Sequence, residues 1–279
     1  MKTSLLLAAL VAPLVPSGDP LSLVARHAQG DIFEERERFW SSTVGAAASD
    51  EGTRPSFSWS AACAPGALGD ASLVASESLL EDEVLAVDQD VRVKIRRTFV
   101  TRTSTLANPG AADATPRTHA SFEGQSIVLV ADGDDTRLVG EIDGEEELTP
   151  SDLGLSPRWE RALPSAPVEI GDSWTPSDEV AAQLLEPLAP RKATAWCQLA
   201  RVEASEVGRV ACIELHFHGS TLGASGETAE IESAGLLRWD IKGAHLIEVT
   251  LSGEIHSADV EGNAQIRRFG LSHETRRIE

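Results

Sequence analysis

Apolar and polar residues alternate along most of this chain, and the alternation predicts strands. Over residues 91–102, Val91, Val93, Ile95 and Phe99 face one way and Arg92, Lys94, Arg96, Thr98 and Arg102 the other. A period of two describes a half-buried strand about 40 Å long, since the pleated chain rises about 3.3 Å per residue. Residues 210–218 repeat the pattern, with Ala211, Ile213, Leu215 and Phe217 set against Cys212, Glu214, His216 and His218. So do residues 246–255, where Ile247, Val249, Leu251 and Ile255 alternate with Glu248, Thr250, Ser252 and Glu254. Further strands are expected over 193–202, 229–241 and 264–269, with a hairpin over 121–142. Residues 21–25 and 32–40 read as a first hairpin around Gly30, and the charged run from Phe33 to Trp40 suits an edge strand or a helix, with strand preferred. Residues 70–87 fit a helical stripe or a strand, residues 45–70 a loop, and the charged tail from Ser272 is expected to fray. One wet face and one dry face is the mark of an antiparallel sheet. The fold expected is mainly β: curved antiparallel sheets forming a half-barrel of the lipoprotein-carrier kind, with a sandwich as the alternative.

One helix interrupts this pattern. Pro164 and Pro167 stiffen the chain, Val168 and Ile170 make a short strand, and Gly171-Asp172 signals a turn. Trp174 follows, then Thr175-Pro176 as N-cap and first helical residue, ahead of Val180, Ala181, Leu184 and Leu188 at helical spacing. This predicts a helix near 176–186. Gly171, Asp172 and Trp174 take structural roles there, with Trp174 as a plug where helix meets sheet and the floor of a ligand groove as the other reading.

The run Leu163-Pro164-x-x-Pro167-Val168-x-Ile170-Gly171-Asp172-x-Trp174 resembles a segment of secreted, β-rich bacterial envelope proteins of uncharacterised function. Phe122-Glu123-Gly124-Gln125 and Gly235-Leu236-Leu237-Arg238-Trp239-Asp240 are similar to two further pieces of that family. The likeness spans residues 80–260. It implies a compartment and a β-rich fold and brings no catalytic residues with it.

Compartment also follows from the first residues. Lys2, the apolar run over residues 5–14 and Val15-Pro16-Ser17 form a secretory signal, residues 1–17. An apolar run this short, containing Pro13, does not span a bilayer, so a mature protein starting near Gly18, without a transmembrane anchor and secreted or periplasmic, is expected. Residues 18–279 then form one β-rich region, with halves 18–150 and 160–279 as a possible division. Lys plus Arg total 24 and Asp plus Glu 44, a net charge of −20, which argues against nucleic acid and anionic surfaces as partners. Three cysteines in an oxidising compartment allow one disulfide. A turn at Ala204-Ser205 places Cys197 opposite Cys212 in neighbouring antiparallel strands, inside the span a disulfide bridges.

The chain holds no G-x-S-x-G elbow, H-E-x-x-H, C-x-x-C or phosphate-cradling glycine loop. His216 and His218 share one strand face, as in zinc sites built on strands, but spacing supplies no third ligand, and polar surface is the simpler reading. No cofactor is implied. The expected function is therefore non-catalytic: binding an apolar small molecule or an envelope protein on a concave sheet. An extracellular hydrolase with acid–base residues on distant loops, or a structural surface module, is the alternative.

Overall fold

The computed structural model describes residues 20–44, 73–107, 117–119, 121–132, 135–143, 148–149, 152–156, 158–206, 208–223, 226–258 and 263–278. The signal segment 1–17, the loop over 45–70 and Cys63 lie outside the described residues. Twelve strands build one antiparallel sheet: β1 (Ile32–Val44), β2 (Leu73–Asp88), β3 (Val91–Ala107), β4 (Arg117–His119), β5 (Ser126–Asp132), β6 (Asp135–Val139), β7 (Ser173–Trp174), β8 (Lys192–Ser205), β9 (Gly208–Leu222), β10 (Thr228–Asp240), β11 (His245–Ala258) and β12 (Ala264–Arg277). The order is β6-β5-β3-β2-β1-β12-β11-β10-β9-β8-β7, with β4 beside β3. Each half is a meander, and the long-range pairing of β1 with β12 joins them into one sheet.

That join overturns two expectations. The charged run from Phe33 to Trp40 is a central strand, paired on both sides, and the tail beyond Ser272 is its partner up to Arg277. Charge is tolerated in mid-sheet where a group finds a counter-charge on a neighbouring strand or on a segment packed over the sheet. Arg38 reaches Glu77 at 3.0 Å and Glu274 at 3.3 Å, and Arg158 reaches Glu37 at 2.8 Å. Of residues 70–87, the described part from Leu73 is strand for the same reason: Glu77, Asp82 and Glu83 face arginines on β1 and β3.

The sheet's dry face carries two hydrophobic clusters. The larger joins Ala195, Cys197, Leu199, Ile213, Leu215, Phe217, Ile231, Leu237, Trp239, Val249 and Leu251 to Trp159, Ala181, Leu184, Leu185 and Leu188 packed across them. The smaller gathers Ile95, Phe99, Phe122, Ile127 and Leu129 under β3 and β5. Ala181 and Leu184 belong to the helix α1 (Asp178–Leu184), two residues shorter at each end than the expected 176–186. Its N-cap is Ser177, whose hydroxyl accepts from the Val180 amide, so Thr175-Pro176 remains extended.

Between the clusters runs a seam of buried charge. Arg97 donates from Nε to Asp82 Oδ1 at 2.8 Å and from Nη2 to Oδ2 at 2.5 Å, and its Nη1 reaches the Asp152 carbonyl at 2.8 Å. Arg92 meets Asp82 at 3.4 Å, Glu35 at 3.5 Å and His27 at 3.3 Å, with its guanidinium 4.5 Å over the Phe33 ring. Arg92 is buried and Val91 exposed, the reverse of the simple alternation, because β2 and β3 shift register twice around Ala86. The wet basic face expected on β3 is thus split. Arg96 pairs with Glu83 at 2.5 Å on the outside, while Arg92 and Arg97 turn into the seam. Burial and the neighbouring Asp82 raise the Glu35 carboxyl above its ordinary value. Burial also acts to raise Glu37, but Arg158 and His273 outweigh it and bring that carboxyl down to about 2.

Candidate functional site

Among the described residues, the face packed against α1 is filled by the buried side chains of the larger cluster. Space lies on the opposite face, the one the alternation marks as wet. There a trough of about 790 Å³ runs over β9 to β12. Its geometry follows from register, since residues directly opposite one another on antiparallel strands point to the same side. One transverse row reads Trp196, His216, Ala234, Ser252, Gly270, Trp40 from β8 to β1. The three middle residues are small: Ala234 and Ser252 make a low floor and Gly270 lies beneath the Trp40 indole, while the row ends in indole and imidazole rings. Four interstrand steps separate His216 from Trp40, about 19 Å at the usual sheet spacing.

Gly270 is required for that shape. A Cβ built there would lie 2.1 Å from Trp40 Nε1, so the indole rests directly over the β12 backbone. At the other end Trp196 and His216 pack with ring centroids 5.0 Å apart, and Trp196 keeps 38% of its surface exposed. A volume near 800 Å³ falls in the range of small-molecule sites, about 300–1,000 Å³.

A second row, two residues further along each strand, is charged: His218, Glu232, Glu254, Arg268. Arg268 Nε donates to Glu254 at 3.1 Å, and His256 stands 3.5 Å from the same carboxylate. Glu232 is exposed and, among the described residues, makes no ion pair.

His216 and His218, the candidate metal pair, both line this trough. Among the described residues no three His, Cys, Asp or Glu side chains converge to hold a metal ion. Trp174 does not line it. The Trp174 indole N–H donates to the Ala162 carbonyl at 2.7 Å, and the ring packs against the larger cluster where the 3-10 turn Arg158–Ala162 meets β8. Gly171, at φ 97°, donates to Leu199 O, and Asp172 caps the turn by accepting from the Glu169 amide at 2.8 Å.

The expected disulfide is not formed: Cys197 and Cys212 are free thiols, both buried. The β8–β9 hairpin closes at Ser205 and Gly208, and the register shifts again between Leu199 and Arg201. Cys197 therefore faces Leu215 inside the core, while Cys212 faces Arg201 and Arg238 on the other side of the sheet. Burial pushes the Cys197 thiol up to about 12.

Trp40, Glu232 and Arg268 are trough residues the alternation did not single out, and Trp196 ends the same row beside His216. Their signal was present for the two tryptophans: each occupies a wet position, between Phe39 and Ser41 and between Ala195 and Cys197. A large aromatic there, rather than on the dry side, marks a surface with a use. A second cavity of about 70 Å³ opens on the charged seam, walled by Glu35, Glu37, Arg97, Arg102, Asp152, Arg158 and His273. Those charges satisfy one another, and the space suits water.

No family model matches the chain, and no curated protein matches it. Among solved structures it is similar to lipovitellin, in a structure of lipid–protein interactions, with a TM-score of 0.45 and 7% identity over 89% of this chain. The match takes in 25% of that chain, so this protein spans about a quarter of its length.

Proposed function

We propose that this is a non-catalytic binding protein that works outside the cytoplasm and holds a partly apolar small molecule in the trough over β9 to β12. One observation carries the reading: a volume of about 790 Å³ floored by Ala234 and Ser252 and walled by Trp40 and His216. Aromatic walls over a small-residue floor favour burial of a flat or chain-like apolar body, at about 25 cal/mol per Å² removed from water. The extracytoplasmic setting rests on the signal pattern of residues 1–17 and on the envelope-protein resemblance of the segment ending at Trp174. A half-barrel curvature of the lipoprotein-carrier kind belongs to the same proposal, since a curled sheet supplies a trough without further elements.

Titration with the neutral fluorophore N-phenyl-1-naphthylamine tests it. Saturable enhancement is expected, accompanied by quenching of tryptophan emission. Filling the floor with Ala234→Phe or Ser252→Phe, both at positions facing open space, is expected to weaken binding at least tenfold with the unfolding midpoint retained. Absence of saturable binding, or full binding in both filled variants, rejects the reading.

A further inference from the structure

The charged row beside the floor carries a preference that the apolar walls do not. Glu232 and Glu254 stand directly opposite each other on β10 and β11, on the trough side. Like charges in that position repel. Across the row there is one permanent cation, Arg268, and it is engaged with Glu254 at 3.1 Å. His218, opposite Glu232, and His216 are the imidazoles on the same wall, and His256 lies against Glu254 from beyond it. Two carboxylates against one guanidinium leave one carboxylate in excess at the rim. The chain as a whole adds the field of a net −20.

We infer that the natural ligand of the trough is a cationic amphiphile: an apolar body over Ala234 and Ser252, and an ammonium or similar head seated between Glu232 and Glu254. This rests on the binding reading above and adds the ligand's charge to it. The head group relieves the repulsion between the two carboxylates. The Trp40 ring at the end of the floor is a further surface that attracts cations. Fatty acids, alkyl phosphates and other anionic amphiphiles place their heads against the same carboxylates and are selected against.

The test is competition for bound N-phenyl-1-naphthylamine by dodecyltrimethylammonium and by dodecyl sulfate, each below its micelle concentration. It is run at about pH 8 and about 0.15 M salt, where charges further than roughly 8 Å away are largely screened. The ammonium is expected to displace the probe at a concentration about tenfold lower than the sulfate, the size of effect that one carboxylate at contact distance exerts on a partly solvated charge. In Glu232→Gln the ratio of the two concentrations is expected to fall below about threefold, and Glu232→Lys to invert it. Failure of the probe itself to bind rejects the trough as a site. Probe binding with equal displacement by both detergents leaves the trough standing and overturns the cationic assignment. A preference that survives unchanged in Glu232→Gln removes Glu232 from the role given to it.

Discussion

Removing one carboxylate from the seam gives the sharpest test of how this sheet is held together. Asp82 is fully buried and takes two hydrogen bonds from Arg97, at 2.8 and 2.5 Å, and a third from Arg92 at 3.4 Å. Asp82→Ala leaves two buried guanidinium groups short of their common anion. Arg92 keeps Glu35 and His27, and Arg97 keeps the Asp152 carbonyl, so neither is stripped completely. Breaking a buried pair from one side costs about 3–5 kcal/mol, and the remaining contacts place this case near 3. Against a total stability of about 5–15 kcal/mol, that is a large fraction. The assay is urea unfolding followed by tryptophan emission, with an unchanged slope showing that the native state is otherwise retained. The companion variant Asp82→Leu/Arg97→Leu removes both charges together and is expected to recover at least half of the loss, because the desolvation cost leaves with the pair. A loss under about 1 kcal/mol for Asp82→Ala, or a double variant as unstable as the two single losses added, refutes the seam as a coupled charge network.

Four further outcomes are expected. Glu37 is held at about 2 when folded against an ordinary 4.5, so its stabilising contribution is complete above pH 4.5 and is lost as pH falls towards 2. The gap between native protein and Glu37→Gln in thermal midpoint should therefore close over that window; parallel curves contradict the pairing with Arg158 and His273. Glu35, raised by burial, works in the opposite sense: its contribution is present below pH 4.5 and fades as pH rises through its elevated value. Peptide mapping of unreduced, denatured protein should find Cys197 and Cys212 both alkylated, and in the native state Cys197 should resist thiol reagents; a linked pair of peptides overturns the register of β8 on β9. Trp174→Phe removes the donor to Ala162 O and should cost about 1–3 kcal/mol, the usual penalty for an abandoned buried acceptor; a loss under about 0.5 kcal/mol means the indole N–H holds nothing in place.

Much of the sheet was legible because its rule is local. Ile213, Leu215 and Phe217 are buried and His216 and His218 exposed, as the alternation along β9 required, and Trp239 lies on the dry side. The turn at Gly171-Asp172 was legible because Asp172 closes it locally on the Glu169 amide, whereas Gly171 and Trp174 are held by the more distant Leu199 and Ala162. The charged strand β1 was misplaced at an edge, since its counter-charges Glu77, Arg158 and Glu274 lie far away in the chain. The cysteine pairing failed on a single hairpin: the turn closes at Ser205 and Gly208, and a register shift follows.

The amino-acid sequence by itself determined that this protein is a β-rich antiparallel structure with one filled face, because side-chain alternation and burial are properties of each strand alone. Only the tertiary structure decided which residues stand side by side across six strands. Trp196, His216, Ala234, Ser252, Gly270 and Trp40 form one row solely through register, which hairpin closures and bulges set one pairing at a time. A slip of one residue in any of those pairings turns that strand's side chains to the other face. The trough therefore exists in the pairing and not in any segment of the chain.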